Sequence, residues 1–151
     1  MVSSLKIILA GTIGSIGFAL VFHAKGKVLL VGGIGGMLCG IIYVICEREL
    51  LYSGFISALI SAACIAAYSE FAARIIKEPA IVLFVPSIIS LMPGSSLYYT
   101  LSAAVNGDWI LAEKYAIELA TVAFGIALGA CIIWTILEIC NRVKKSLMTD
   151  K

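Results

Sequence analysis

Charge is what this sequence has least of. Asp, Glu, Lys and Arg make up 13% of its 151 residues, against about a quarter in a soluble domain. Eleven basic and nine acidic residues leave a net charge of +2. No basic block is long enough to follow a phosphate backbone, which excludes a nucleic-acid partner. There is one histidine, His23, and no CxxC or Cys/His cluster among Cys39, Cys46, Cys64, Cys131 and Cys140. That lack argues against a metal site, and the odd count fits no self-contained disulfide framework. The five thiols, all inside apolar runs, read as buried, reduced and hydrophobe-like. No nucleophile–base pair or ligand cluster is present, so neither an enzyme nor a bound cofactor is expected. Disorder is excluded as well, because too few polar residues remain to keep the chain solvated.

What is there is apolar: 62% of the residues, with a mean hydropathy of +1.09. A bilayer core about 30 Å thick takes about 20 apolar residues as a helix. Charge-free runs cover Ile7–His23, Val28–Cys46, Leu50–Ser69 (continuing to about Ile76), Pro79–Gly107 and Leu119–Leu137. These predict an all-α integral membrane protein, one transmembrane domain over 1–151. It has about five spans (roughly 5–23, 28–46, 50–76, 80–106 and 116–139) and a basic tail at 140–151. The first run lacks a charged n-region and a small-x-small cleavage site, so it reads as a retained helix rather than a signal peptide.

Lys and Arg stay on the cytoplasmic side. With the C-terminus inside, Lys25, Lys27, Arg74, Lys77, Arg142, Lys144, Lys145 and Lys151 are cytoplasmic, and Lys6, Arg48 and Lys114 are outside. The expectation is a multi-pass protein of the cell (inner or plasma) membrane, N-terminus out and C-terminus in. A five-helix unit of this kind can be half of a pseudo-symmetric transporter whose other half is a second chain.

Small residues mark helix contacts in lipid. Gly32, Gly36 and Gly40, with Gly33 and Gly35, lie on the second span, Gly125 and Gly129 on the fifth, and Gly11, Gly14 and Gly17 on the first. Ser53, Ser57 and Ser61 form a stripe on the third, read as packing or, alternatively, as the lining of a polar passage. Tyr98, Tyr99 and Trp109 near the outer end of the fourth run, and Tyr43 and Tyr52 about the preceding outer turn, suit an aromatic belt. Glu70–Arg74, Glu138–Arg142 and Lys114–Glu118 are spaced to pair along single helix faces. No unpaired charge then remains at the centre of a span.

The fourth run, PAIVLFVPSIISLMPGSSLYYTLSAAVNG, is the unusual one. Pro86 and Pro93 each remove a backbone donor, Gly94 follows, and Ser95 and Ser96 are placed to cap a new start. The expected form is a half-helix to about Met92, a break at Pro93–Gly94, and a second half-helix. Bare backbone at such a break is tolerated in lipid only where protein or a water-filled cavity satisfies it. A half-helix N-terminus suits a carboxylate, and transporters build midplane sites in this way. The candidate substrate-binding residues are Pro86, Ser90, Pro93, Gly94, Ser95, Ser96 and Tyr98.

GTIGSIGFALVFH (Gly11–His23), LLVGGIGGMLCGIIY (Leu29–Tyr43) and FVPSIISLMPGSSLYYTLSAAVNG (Phe84–Gly107) together resemble the threonine/serine exporter family. The likeness is to its small split subunit, which corresponds to the C-terminal half of single-chain members. The resemblance implies export of small amino acids or small organic acids, driven by an ion gradient. It also implies a larger homologous partner with a cytosolic N-terminal domain and five further helices. The family signature falls on Pro86, Pro93, Gly94 and Tyr98, and relatives often carry Asn at the position of His23. The expected partners are therefore that larger subunit, a small-molecule substrate and the lipid bilayer, with a homo-oligomer as a further assembly. The alternative function is a non-transporting membrane protein that scaffolds an assembly.

Overall fold

A chain this apolar can satisfy its backbone in lipid only by internal hydrogen bonding, which a helix provides within one segment. The structure, a computed structural model, describes residues 2–50 and 52–149. Leu51 of the third run and Lys151 of the basic tail lie outside them. Among the described residues there are helices and no strand. The order is α1 (Val2–Val21), α2 (Lys27–Val44), α3 (Gly54–Ile76), α4 (Ala80–Ile88), α5 (Gly94–Val105) and α6 (Trp109–Thr149). A π-turn (Ile45–Glu49) extends α2, and a 3-10 turn (Ile89–Leu91) follows α4.

Lys27–Arg48, Gly54–Ile76 and Trp109–Val143 are each long and apolar enough to cross a membrane. α4 with its 3-10 turn and α5 are together long and apolar enough for a fourth span, bent by 58°. Lys6–Val21 of α1 is apolar but shorter, about 24 Å at ~1.5 Å per residue. The last helix differs from expectation at both ends, and it runs on to Thr149 through most of the stretch expected as a tail. α6 begins at Trp109, not near 116, because Asp108 caps it: Leu111 N–H donates to Asp108 Oδ1 (3.1 Å) and Ala112 N–H to Asp108 O (3.0 Å). Trp109 therefore opens the last helix instead of ending the fourth run.

Three helices close with the same backbone device. His23, Lys77 and Gly107 adopt left-handed conformations (φ 58°, 62° and 78°). In each case the next N–H reaches back across the last turn: Ala24 to Ala19 O, Glu78 to Ala73 O, and Asp108 to Ala103 O, at 2.9, 3.2 and 3.0 Å. This closure satisfies carbonyls that would otherwise be orphaned at a helix end.

Close contacts fix the relative directions. A Cβ added to Gly33 or Gly40 would meet Ile16 or Ile8, so α1 and α2 are antiparallel. Gly32 faces Pro86 and Gly36 faces Ser90, so α2 and α4 run the same way. Gly125 packs on Phe55 and Ala58, and Gly129 on Leu59 and Ala62, so α3 and α6 are parallel. The α3–α6 contact is backbone against backbone, with Phe55 O only 2.7 Å from where a Cβ on Gly125 would stand. Around it lies the main core, Cys39, Ala58, Ala62, Ile65, Phe84 and Val122 among its members. Phe84 meets Trp134 edge-on at 4.9 Å between ring centres.

Other expectations divide. Glu70–Arg74 (3.3 Å) and Glu138–Arg142 (2.6 Å) form ion pairs, whereas Lys114–Glu118 is not among those made by the described residues. Arg74 also donates to Asn141 Oδ1 (3.4 Å), tying the end of α3 to α6. All five thiols are free, but Cys64, Cys131 and Cys140 lie on the exposed outer surface, not in the interior. In a membrane that surface faces lipid, where a small hydrophobe is at no disadvantage. The first-span glycines also part company. Gly11 stands against Ser90, while Gly14 and Gly17 meet nothing within 4 Å.

Candidate functional site

The polypeptide stops being regular where Pro93 interrupts it. α4 continues through Pro86 and ends at Ile88; the 3-10 turn follows, Met92 is extended (φ −61°, ψ 122°), and Pro93 heads α5. The α-helical half is thus four residues shorter than the sequence predicts, because the chain tightens into 3-10 geometry before it breaks. Ser95 and Ser96 do not cap the new helix. Pro93 occupies the cap position without a side-chain hydrogen bond, which leaves the two serines inside the first turn.

The first N–H groups of an α-helix have no acceptor within it. Here Gly94 N–H turns back to Met92 O (2.8 Å) and Leu97 N–H donates to Pro93 O (3.1 Å). Those of Ser95 and Ser96 gain no backbone acceptor outside the helix among the described residues. Ser95 is exposed and Ser96 is buried. Beside the break is a pocket of about 310 Å³ with Met92, Pro93, Gly94 and Leu97 on one wall and Leu119, Ala123 and Ile126 of α6 on the other. The walls are apolar, and the polar groups available are the backbone at the start of α5. A Cβ on Gly94 would meet nothing within 4 Å.

The remaining candidates lie elsewhere. Pro86 is fully buried, packed on Gly32. Ser90, in the 3-10 turn, donates to Gly36 O (3.1 Å) and contacts Ser15 Oγ (3.0 Å). Tyr98 is on the outer face of α5, 67% exposed, beside Leu101, Ser102, Val105 and Asn106. Its ring meets Tyr99 edge-on, and Tyr99 stacks on Tyr115 of α6 at 5.2 Å. The structure therefore gathers Pro93, Gly94, Ser95 and Ser96 at the break. It places Pro86 and Ser90 in the α1–α2–α4 contact, and Tyr98 on neither.

Two further serines face the α2 backbone without any spacing in the sequence that marks them. Ser15 is fully buried on α1, and Ser87 on α4 donates to Leu83 O (2.7 Å) and Gly32 O (3.3 Å). The glycine-rich face of α2 was the available signal, because carbonyls without side-chain cover invite hydroxyl donors. The third-span serines, in contrast, line no pocket described here. Ser53 caps α3 by accepting from Ile56 N–H (3.5 Å), and Ser61 donates to Ser57 O (2.7 Å). The hydroxyls of Ser57 and Ser69 are buried without a partner among the described residues.

Comparison with known proteins places the chain by family. No curated protein and no solved structure matches the chain. Residues 7–136, nearly all of the helical bundle and the whole of the broken span, match the family described as Threonine/Serine exporter, ThrE. The chain belongs to the threonine/serine exporter family, and it is a multi-pass membrane transporter of that type.

Proposed function

We propose that the chain is the membrane subunit of a two-component secondary exporter of small amino acids of the threonine/serine type, or of small organic acids. It works with a larger homologous partner. The observation that carries the reading is the break at Met92–Pro93, where a helix start with open N–H groups stands beside an apolar pocket. A substrate carboxylate is held by the N–H groups of Ser95 and Ser96 and the positive end of α5. The pocket wall formed by Leu97, Leu119 and Ala123 takes its carbon chain. Dipoles already aimed at the site need no reorganisation when substrate arrives. Pro93 and Gly94 shape the site, while Pro86 and Ser90 hold the preceding stretch of the span to α1 and α2, away from the pocket, and Tyr98 stands apart on the outer face of α5. The pocket is open on one side, which suits completion by a second subunit. By its distribution of Lys and Arg, the protein lies in the cell membrane with its N-terminus outside and its C-terminus in the cytoplasm.

Gly94→Leu tests this directly. A Cβ at this position meets nothing within 4 Å, so membrane insertion is expected to stay at the wild-type level while export is lost. Normal efflux from that variant would remove the site from Pro93–Gly94. Deletion of the gene raises intracellular threonine, serine or dicarboxylate. A scaffold that moves no solute would change none of them.

A further inference from the structure

The hydroxyl of Ser15 is fully buried, and its hydrogen-bond partner is Ser90, 75 positions further along the chain. Ser90 has a single proton, and it is directed to Gly36 O at 3.1 Å. The 3.0 Å contact between the two hydroxyls is therefore donated by Ser15. The result is a one-directional chain, Ser15 to Ser90 to the Gly36 carbonyl, joining α1, the 3-10 turn and α2. Two glycines make the room for it. A Cβ on Gly36 would collide with Ser15 and stand 3.3 Å from Ser90 Oγ, and one on Gly11 would stand 2.9 Å from Ser90 Oγ.

The place of this chain in the broken span matters. Ser90 is the middle residue of the 3-10 turn, two positions before Met92, where helical geometry is lost. On one side of that point α4 packs against α2 and α3; on the other, α5 packs chiefly against α6. The direction in which α5 leaves, and with it the pocket at Gly94, depends on how the 3-10 turn is fixed to the bundle.

We propose that Ser15 is a positioning residue for export: through Ser90 it pins the 3-10 turn and so sets the geometry of the substrate pocket at the start of α5, without touching substrate. The inference rests on the export reading above.

The test uses inside-out membrane vesicles from a deletion strain complemented with the full-length chain or its variants. Accumulation of radiolabelled threonine, serine and succinate is measured against concentration. For whichever probe the wild type accumulates, Ser15→Ala and Ser90→Ala raise the half-saturating concentration about two- to tenfold, the span expected for one hydrogen bond. The maximal rate per inserted protein stays near the wild-type value. Because the hydroxyls act in series, Ser15→Ala combined with Ser90→Ala is no worse than Ser90→Ala alone. Thr12→Val, which removes a hydroxyl bonded to Ile8 O of its own helix, leaves both parameters unchanged. Half-saturation unchanged in Ser15→Ala, with the rate falling only as the amount of inserted protein falls, overturns the positioning role. So does full additivity in the double variant. Vesicles in which the wild type accumulates none of the three probes overturn the export reading itself.

Discussion

Single side chains show why the glycines of these ladders are not equivalent. Gly36 leaves room for two hydroxyls, whereas Gly14 and Gly17 face nothing within 4 Å. Gly36→Ala should destabilise the purified protein by about 1–3 kcal/mol, the usual cost of forcing a group into a filled site. Gly14→Ala and Gly17→Ala should be neutral or stabilise by roughly 0.5–1 kcal/mol, because alanine loses less backbone freedom in a helix. Thermal unfolding in detergent compares the three. Spacing in the sequence says which residues share a face but not what that face meets, so these glycines were legible as a group and not as individuals. His23 is the opposite case. Its left-handed backbone (φ 58°) is one that Asn and His adopt more readily than most residues, so the residue type suits the turn.

Helices carry the next set of consequences. α3 and α6 approach closely because Gly125 and Gly129 present no side chain, and Gly129 would bring a Cβ within 3.1 Å of both Ala62 and Ala63. Gly129→Leu should separate the two helices and abolish folded protein, while Phe124→Leu on the exposed face should not; size-exclusion profiles distinguish them. Asp108→Ala should cost about 1 kcal/mol by uncapping α6, seen as faster amide exchange confined to its first turn. Each apolar run in the sequence is helical in the structure, since the bilayer imposes a length of apolar sequence. Hydropathy missed the first seven residues of α6, where Glu113 and Lys114 interrupt the apolar run, because a helix leaving the lipid keeps its own hydrogen bonds and need not stop at the boundary. Pro93–Gly94 was legible as a break. The 3-10 turn before it was not; it docks through Ser90 on Gly36, a contact between residues far apart in sequence.

At the scale of the whole molecule, α1, α3 and α6 point one way and α2 and α4 the other, with α5 continuing α4 at an angle. The excess of Lys and Arg at one set of turns predicts that this side is the cytoplasmic one. A reporter active only in the cytoplasm should work when fused after Lys151 and fail when fused before Met1; the reverse pattern would invert the assignment. The alternation reaches beyond one chain. A polypeptide that enters on one side and leaves on the other hands any tandem fusion partner to the far side. A duplicate joined head to tail would thread the bilayer upside down, its own kinked rod descending where the first ascends. Gene fusion alone would then set two such clefts facing opposite compartments, with no residue altered in either copy.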